Sequence, residues 1–532
     1  MVTLSPIKSV LSFDTDRIKE YVFATGSLST IRGASAVLDK LNRVEMPQII
    51  SKVAPEAKKV FADGGSGMFQ LDSSHVDAAI AAVEYLYRRK TDTASITGAS
   101  IEYADEQELK EQLVLLPYRI RTAKEKAPQF MGMVSSSFMK TCESCGISYA
   151  SKTFTGAEGT EYVCRACYIK KIEDRFLKKQ IPNYFSSDFE PDAGRAQPLW
   201  QHLSSILKKQ KYGGYPERQY LDRPNDFNDL GELSTPSGYI GLIVADGDGM
   251  GQILEQFKCR KEFSDFAKIV DQSLYEALSS AVIEHLQPPA GRNILPFDVL
   301  LLAGDDLVMV TRAQSALQVA LQLVEDFSSF SEQNGRRLKL SASVVIAHDR
   351  FPFRAAHKIA ESGLKFAKQK AHELKMQEKE CSTGLINFLV LSNPSSLDFQ
   401  EIYNSDIKTI ANDGITSNIR SLRPYSPESL RILMKAVQDL SGGSRTRLHQ
   451  LAEACYLDRN NSKLNGFTAF SRWLEKSKKQ AQVINNLFDE ISKYYGITDT
   501  FAFPWLVDQE NNHHSPLVDL LEIFDFVKGG AL

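Results

Sequence analysis

Two apolar stretches that run into acidic residues dominate the hydrophobic pattern of the chain. Residues 239–251 (YIGLIVADGDGMG) form an apolar run that ends in the acidic segment 246–248 and leads into helical periodicity. Residues 299–310 (VLLLAGDDLVMV) form two apolar runs around the tetrapeptide Ala-Gly-Asp-Asp at 303–306. The first pattern predicts a buried strand, and the second predicts a buried β-hairpin whose turn carries two carboxylates.

Asp246, Asp305 and Asp306 are the candidate catalytic residues. Two adjacent carboxylates between buried strands are costly unless a cation neutralises them, so the pattern favours a divalent metal. An exposed Asp-Asp turn is the alternative, because Asp is common in turns. A strand-end Asp that faces two hairpin Asp residues would hold two Mg²⁺ or Mn²⁺ ions, as nucleotidyl transfer requires. The combination predicts the palm of a nucleotidyl-transfer enzyme.

Residues next to these acids are candidates for nucleotide binding. The glycines of the 247–251 segment would let backbone N–H groups approach a triphosphate at a helix N-terminus. Lys368, on a helix predicted over residues 354–375, either reaches the phosphates or is a surface lysine. The set expected to contact nucleotide in this half of the chain is Gly247, Asp248, Gly249, Met250, Ala303, Gly304 and Lys368.

The order of elements in residues 239–373 repeats an order found near the N-terminus. There a strand is followed by the acidic tripeptide 14–16, a helix, a Gly-rich hairpin, a helix, a strand and another helix. We interpret this as a diverged internal repeat and align residues 64–67 (GGSG) with residues 303–306. The first copy then lacks both hairpin acids. Asp14, Gly64 and Gly65 are expected either to bind a second nucleotide or to be purely structural.

Four cysteines between the two copies have the spacing of a metal site. Cys142, Cys145, Cys164 and Cys167 form two Cys-x-x-Cys knuckles, a pattern typical of tetrahedral zinc ribbons. A site with four thiolates leaves no open position for water, so the zinc is expected to be structural.

Composition is that of an ordinary globular protein with several domains. The chain has 532 residues, of which 43% are hydrophobic and 24% are charged. A net charge of −3 argues against a generally basic nucleic-acid-binding surface but allows a local basic patch. No apolar run has the length of a membrane span, and the N-terminal residues do not form a signal peptide. We therefore expect a cytoplasmic protein without membrane contact.

The patterns together predict an α+β chain of five parts. These are a degenerate first palm (1–135), a zinc ribbon (136–180), a connector (181–237), a catalytic second palm (238–378) and a C-terminal helical domain (379–532). The connector is rich in Pro, Gly, Asp and Tyr, with one helix expected near 199–208, and it is either solvated or in contact with RNA.

With these features the chain resembles the large palm-containing subunit of type III CRISPR effector complexes. The resemblance rests on FDTDRIKEYVFATG and IRGASAVLDKLNR in the first palm, the four cysteines, ADGDGMG, AGDD and the helical tail. It implies two ferredoxin-like palms of the GGDEF-like cyclase/polymerase type. In the family these palms polymerise ATP into cyclic oligoadenylate when a guide-bearing complex meets target RNA. The family's metal carboxylates fall on Asp246, Asp305 and Asp306.

Two departures from the family pattern carry expectations of their own. The usual Gly-Gly-Asp-Asp begins here with Ala303, which adds one methyl group. Many members begin with a His-Asp nuclease domain, whereas this chain starts at the first palm, so we expect no cleavage of single-stranded DNA.

Three functional hypotheses remain open from the sequence. The first is a synthase of a cyclic nucleotide or oligonucleotide signal, with ATP as substrate, in an RNA-guided complex with guide and target RNA. The second is a scaffold subunit of such a complex that binds nucleotide without turnover. The third is a stand-alone nucleotide cyclase or polymerase.

Overall fold

The computed structural model describes most of the chain. The described residues are 8–126, 138–156, 159–180, 222–257, 259–289, 292, 294–376, 382–410, 415–443, 445–495, 497 and 503–527. The helix expected near 199–208 and the domain boundaries expected at 135 and 378 lie outside these ranges.

The N-terminal sheet has the strand order β2-β3-β1-β4, and its neighbouring strands are antiparallel. Its strands are β1 (Lys8–Asp16), β2 (Lys58–Asp63), β3 (Ser66–Asp72) and β4 (Ser95–Tyr103). The accompanying helices are α1 (Ile18–Val22), α2 (Leu28–Lys40), α3 (Met46–Val53), α4 (Val76–Thr91), α5 (Glu106–Leu113) and α6 (Leu116–Lys126). Val10 and Leu11 of the central strand β1 point to opposite faces, and both are fully buried because helices cover both faces. This succession and strand order are those of a ferredoxin-like fold.

The cysteine-rich segment forms a small two-stranded unit that is anchored on the first palm. It comprises β5 (Lys152–Gly156), β6 (Gly159–Val163) and α7 (Arg165–Gln180), and the short helix α8 (Phe227–Glu232) precedes the second palm. Helix α7 lies directly against α2, and a side chain at Gly33 would overlap the backbone carbonyl of Lys170. Glycine at position 33 therefore permits this close helix contact.

The second sheet repeats the strand order of the first and adds one strand. Its order is β11-β10-β7-β9-β8, with β7 (Tyr239–Gly247), β8 (Phe297–Ala303), β9 (Asp306–Arg312), β10 (Leu340–His348) and β11 (Ile386–Val390). Its helices are α9 (Met250–Leu254), α10 (Arg260–His285), α11 (Ala316–Gln333) and α12 (Phe353–Met376). Strand β11 runs parallel to β10. Because β11 follows residue 378, the sheet extends beyond the end expected for the second palm.

Strand pairing fixes how the two palms correspond. Asp14 pairs with Thr97 on the neighbouring strand, and Asp246 pairs with Ser341 in the same way. In the two hairpins, Asp63 pairs with Ser66 and residue 303 pairs with residue 306. The predicted hairpin alignment is therefore wrong by one residue, since residue 64 corresponds to residue 304. A Gly-Gly-Ser-Gly run has no side-chain pattern that fixes register, whereas the ladder hydrogen bonds do.

The expectation that the first palm lacks both hairpin acids holds in the corrected register. The positions of Asp305 and Asp306 are occupied there by Gly65 and Ser66.

The C-terminal part is mainly helical, as predicted, but also contains a small sheet. Its helices are α13 (Phe399–Ile402), α14 (Pro427–Asp439), α15 (Arg445–Ala454), α16 (Arg459–Lys476), α17 (Lys478–Tyr495) and α18 (Leu517–Val527). The sheet has the order β12-β13-β15-β14, with β12 (Lys408–Ile410), β13 (Ser417–Ile419), β14 (Leu506–Val507) and β15 (His513–His514). These strands have two or three residues, too few for an alternating pattern to be recognised. Among the described helices, none is long and apolar enough to cross a membrane.

A buried ionic network joins the two palms and the ribbon. Arg32 of α2 donates to Asp298 of β8 over 2.8 Å and also to Asp174 of α7. Arg223 binds the other oxygen of Asp298, and all four side chains are buried. Because each buried charge needs its partner, this network fixes the relative position of the three units.

Candidate active site

The β8–β9 hairpin brings Asp305 and Asp306 to one end of the second sheet. Ala303 pairs with Asp306, so Gly304 and Asp305 form a two-residue turn. Gly304 has a φ of 65°, a conformation that favours glycine in tight hairpin turns. The hairpin is therefore as the sequence pattern predicted, but only Asp305 lies in the turn, since Asp306 is the first residue of β9.

Asp246 reaches the same end of the sheet from the neighbouring strand. Ala245 pairs with Leu307, and the antiparallel register then brings Asp246 beside Asp306. A side chain on the next residue, Gly247, would put its Cβ 2.7 Å from a carboxylate oxygen of Asp305. Glycine thus lets the hairpin turn approach the strand end, and the three candidate catalytic acids lie together.

Two ammonium groups lie among these carboxylates. Lys368 of α12 donates to Asp246 and, over 2.7 Å, to the backbone oxygen of Gly247. Lys19 of α1, in the first palm, donates to Asp306 over 3.0 Å. Lys368 was a candidate from the sequence, whereas Lys19 was not, because it reaches this site across the contact between the palms.

The protein environment disfavours negative charge at this end of the sheet. Burial, together with the neighbouring Asp246, raises the pKa of Asp305 to about 7. Burial also raises the pKa of Asp306, although Lys19 opposes the shift. Crowded, half-desolvated carboxylates need compensating positive charge, which the lysines supply here and divalent cations supply in two-metal sites.

The chemistry of the acids fits Mg²⁺ or Mn²⁺, because both ions prefer carboxylate oxygens. In addition, Oδ1 of Asp248 is buried and accepts no hydrogen bond from the residues that the structure describes. Asp246 and Asp306 are each ion-paired with a lysine. Of the described His, Cys, Asp and Glu residues, only the four cysteines form a group whose ligand atoms all lie within 4.8 Å of one another. A metal ion that bound Asp246 and Asp306 would therefore displace Lys368 and Lys19 from these acids.

The other residues expected to contact nucleotide are distributed around this centre. Asp248 accepts a 2.7 Å hydrogen bond from Ser341. Gly249 has a φ of 68° and precedes α9, a helix of only five residues. The side chain of Met250 is buried in the core, so it supports the segment from inside the protein.

A cavity of about 740 Å³ opens beside Asp246 on the side of α12. Eight of its nine lining residues have polar or charged side chains, and the cationic ones come from both palms. The lining residues are Lys19, Asp246, Glu361, Leu364, Lys365, Lys368, Gln369, His372 and Glu373. The cavity is thus suited to a charged ligand that interacts with both acids and ammonium groups.

The first palm contains a reduced version of the same centre. Lys124 of α6 lies 2.8 Å from Asp14 and 3.3 Å from Asp16. It also donates to the backbone oxygen of Thr15 over 3.3 Å, as Lys368 does to Gly247. Sequence reasoning missed Lys124, although the repeat contained a signal. Lys124 lies 27 positions after Thr97, the residue that pairs with Asp14. Lys368 likewise lies 27 positions after Ser341, the residue that pairs with Asp246.

The two hairpin turns contact each other where the palms meet. A Cβ on Gly64, which has a φ of 60°, would lie 2.6 Å from the backbone nitrogen of Gly304. The ring of Phe23 also packs against His357 of α12 in a tilted arrangement with centroids 4.0 Å apart. The acidic ends of the two palms therefore face one another.

The four cysteines converge as the sequence predicted. Cys142, Cys145, Cys164 and Cys167 have sulfur atoms within 4.8 Å of one another, and the sulfurs of Cys145 and Cys164 are 3.9 Å apart. A zinc–sulfur bond of about 2.3 Å gives a tetrahedral edge of about 3.8 Å, so the cluster fits tetrahedral zinc.

Residues 239–375 match the family model described as Cas10/Cmr2, second palm domain. The CRISPR system Cmr subunit Cmr2 of Pyrococcus furiosus is 24% identical over 225 residues, which are 38% of this chain and 24% of that protein. The second palm is therefore similar to that of Cas10/Cmr2 proteins. The aligned part spans about a quarter of the curated relative.

Solved structures of Csm1 extend this likeness over nearly the whole fold. The Csm1-Csm4 cassette in complex with AMPPNP superposes with a TM-score of 0.55 at 12% identity, covering 98% of this chain and 69% of that one. The cassette in complex with cA4 superposes with a TM-score of 0.55 at 12% identity, covering 98% of this chain and 70% of that one. Csm1 of T. onnurineus superposes with a TM-score of 0.54 at 13% identity, covering 98% of this chain and 70% of that one. The resemblance to a type III CRISPR palm subunit and the two-palm fold, both predicted from the sequence, are thereby confirmed.

Proposed function

We propose that this Cas10-like protein is a nucleotidyltransferase that converts ATP into cyclic oligoadenylate as a subunit of a type III CRISPR complex. The observation that carries the proposal is the grouping of Asp246, Asp305 and Asp306 at one sheet end, beside a cavity that also contains cationic side chains. Csm1-Csm4 structures in complex with one ATP and with cA4 support the choice of substrate and product class.

The three acids would hold two Mg²⁺ or Mn²⁺ ions. When bound, such ions activate the attacking hydroxyl group and stabilise the leaving pyrophosphate. Lys368, which already lies against Asp246 and the Gly247 carbonyl, would bind the nucleotide phosphates as a charge-assisted donor. The half-buried surroundings would strengthen these interactions by excluding water.

The first palm would bind the second nucleotide but not catalyse. Asp14 and Lys124 keep the strand-end arrangement of the second palm, while Gly65 and Ser66 replace its hairpin acids. Because the two hairpin turns touch, nucleotides on the two palms would lie close enough for one to attack the other. The partners in the cell would be other subunits of the complex with guide and target RNA, and the four cysteines would hold a structural zinc.

Product formation from radiolabelled ATP tests this function. The protein is incubated with ATP and Mn²⁺, with and without candidate partner subunits and target RNA. We expect cyclic oligoadenylate from the wild type and none from Asp305→Ala/Asp306→Ala, with folding checked by circular dichroism. The matched control Asp489→Ala/Glu490→Ala removes an adjacent acidic pair from the exposed face of α17 and should retain full activity. Equal activity of the wild type and the hairpin variant would contradict the assignment.

A non-catalytic nucleotide-binding scaffold is the second candidate. The ion pairs of Lys368 with Asp246 and of Lys19 with Asp306 favour it, because they neutralise the acids without metal. A wild type that binds ATP but is inert under every activating condition would support this alternative.

A further inference from the structure

Lys19 is the one cationic residue that the first palm contributes to the described lining of the cavity beside Asp246. Its Nζ lies 3.0 Å from Asp306 and 3.5 Å from Glu361, both in the second palm. The side chain is about 29% exposed, so it is accessible from the cavity while remaining in contact with the acids.

The position of Lys19 is imposed by the packing of its short helix. Arg17, in the left-handed conformation with a φ of 48°, turns the chain out of β1 and into α1. Tyr21 is buried, and its backbone oxygen accepts a hydrogen bond from the buried Lys170 of the ribbon. The ring of Phe23 packs against His357 of the second palm. Contacts on both sides of Lys19 therefore hold it over Asp306.

The second palm has a glycine at the position that corresponds to this lysine. Gly249 precedes α9 in the left-handed conformation, as Arg17 precedes α1, so the residue corresponding to Lys19 is Gly251. Gly251 has no side chain that could reach the first palm. At this pair of equivalent positions, only the first palm presents a cation to its partner, the palm that has the full set of acids.

We propose that Lys19 is an active-site residue that the first palm supplies to the second and that exchanges partners during metal and nucleotide binding. In the metal-free protein its ammonium group neutralises Asp306. When divalent ions occupy the acids, the ammonium group binds the phosphates of a nucleoside triphosphate in the adjacent cavity. The inference rests on the proposed function of the acids as metal ligands, and it adds the residue that couples the two palms.

The surroundings of Lys19 are compatible with such an exchange. Glu361 gives the ammonium group a second contact at 3.5 Å, so it retains a partner when it leaves Asp306. His357 lies 3.5 Å from the same Glu361, but burial lowers the pKa of His357 to about 3, so the ring is neutral and does not compete as a cation. Lys365 and Lys368 line the same cavity, so a triphosphate there would meet positive charge from both palms.

The inference makes opposite predictions for metal and for nucleotide. In Lys19→Met, Mn²⁺ should bind to the nucleotide-free protein several-fold more tightly than in the wild type, because a competing cation is gone. The same variant should bind AMPPNP with Mn²⁺ about 10-fold more weakly, because one charge-assisted hydrogen bond to phosphate is lost. Lys19→Arg should recover most of the nucleotide affinity, since it keeps the charge.

The measurements are Mn²⁺ binding by electron paramagnetic resonance and AMPPNP binding by calorimetry, on zinc-loaded full-length protein. The Asp305→Ala/Asp306→Ala variant measures the background of Mn²⁺ that binds to sites other than these acids. Lys435→Met is the matched control, because Lys435 lies on the exposed face of α14 outside the described cavity lining. This control should behave as the wild type in both assays.

The possible outcomes separate this inference from the proposed activity. Unchanged binding of both ligands in Lys19→Met, weaker Mn²⁺ binding, or no Mn²⁺ on the acids of the wild type would each overturn the exchange of partners. Tighter Mn²⁺ binding together with weaker AMPPNP binding in Lys19→Met would support the exchange of partners, even if the wild type made no product. The lack of product would then overturn only the proposed catalysis. Product formation with unaltered binding in Lys19→Met would leave the proposed catalysis standing without this role for Lys19.

Discussion

The contact between the two hairpin turns can be tested by adding a single methyl group. Gly64→Ala would put a Cβ 2.6 Å from the nitrogen of Gly304 and 2.8 Å from the carbonyl carbon of Ala303. Both atoms belong to the backbone, so they cannot yield as a flexible side chain would. The left-handed conformation of residue 64 adds a cost of about 1–2 kcal/mol for alanine, and overpacking adds about 1–3 kcal/mol.

Gly442→Ala is the matched control for the conformational part of this cost. Gly442 also has a positive φ, of 83°, but a Cβ there would meet no atom of the described residues within 4 Å. We expect Gly64→Ala to lower the free energy of unfolding by about 1–3 kcal/mol more than the control does. It should also reduce product formation by about 100-fold, because a displacement of about 1 Å at catalytic groups has such an effect.

The assay is guanidinium-induced unfolding followed by circular dichroism, combined with hydrogen exchange of the 297–312 hairpin. Faster hydrogen exchange of this hairpin in Gly64→Ala, but not in Gly442→Ala, would show that the added methyl group perturbs the second palm. Free energies of unfolding that agree within about 0.5 kcal/mol for the two variants, with normal exchange in the hairpin, would refute the contact between the turns.

Three further predictions concern the other units. Cys142→Ser should lose the single zinc per chain and unfold at a lower temperature, and metal analysis that finds no zinc in well-folded wild type would contradict this. Asp14→Ala should reduce product formation less than loss of the hairpin acids does. Calorimetry of this variant with AMPPNP should find one bound nucleotide instead of two. Two sites of unchanged affinity would count against a nucleotide site in the first palm. Arg32→Met should lower the free energy of unfolding by about 3 kcal/mol because it breaks a buried pair with Asp298, whereas Arg431→Met, at a surface pair, should change it by less than about 1 kcal/mol. Equal effects of the two arginine changes in chemical denaturation would show that the buried network contributes no more than a surface pair.

The sequence predicted the parts of the fold that depend on local patterns. The apolar runs around residues 246 and 303–306 specify buried strands by composition alone, and the cysteine spacing specifies a metal site without knowledge of the surroundings. The register of the Gly-rich hairpin at 64–67 was wrong by one residue, because glycines do not distinguish the two faces of a strand. The short strands of the C-terminal sheet also carry too few residues to show a pattern.

The candidate site was only partly accessible from the sequence, because part of it is assembled across the chain. Lys19 contacts Asp306 through a separation of 287 residues, and no local motif encodes that contact. Lys124 was accessible in principle, since it occupies in the first palm the position that Lys368 has in the second. The strand-end and hairpin acids could be proposed from the sequence, because two-metal chemistry requires carboxylates in that arrangement.

Anomalous X-ray scattering from Mn²⁺ can show whether Asp246, Asp305 and Asp306 hold a pair of divalent ions. Crystals of the wild type soaked with Mn²⁺ and a non-hydrolysable ATP analogue should show two manganese peaks about 4 Å apart between these carboxylates. Lys19 and Lys368 should then contact phosphate oxygens instead of the acids. Bound nucleotide with both lysines still paired to Asp306 and Asp246, and no manganese between the acids, would show that these acids are not metal ligands.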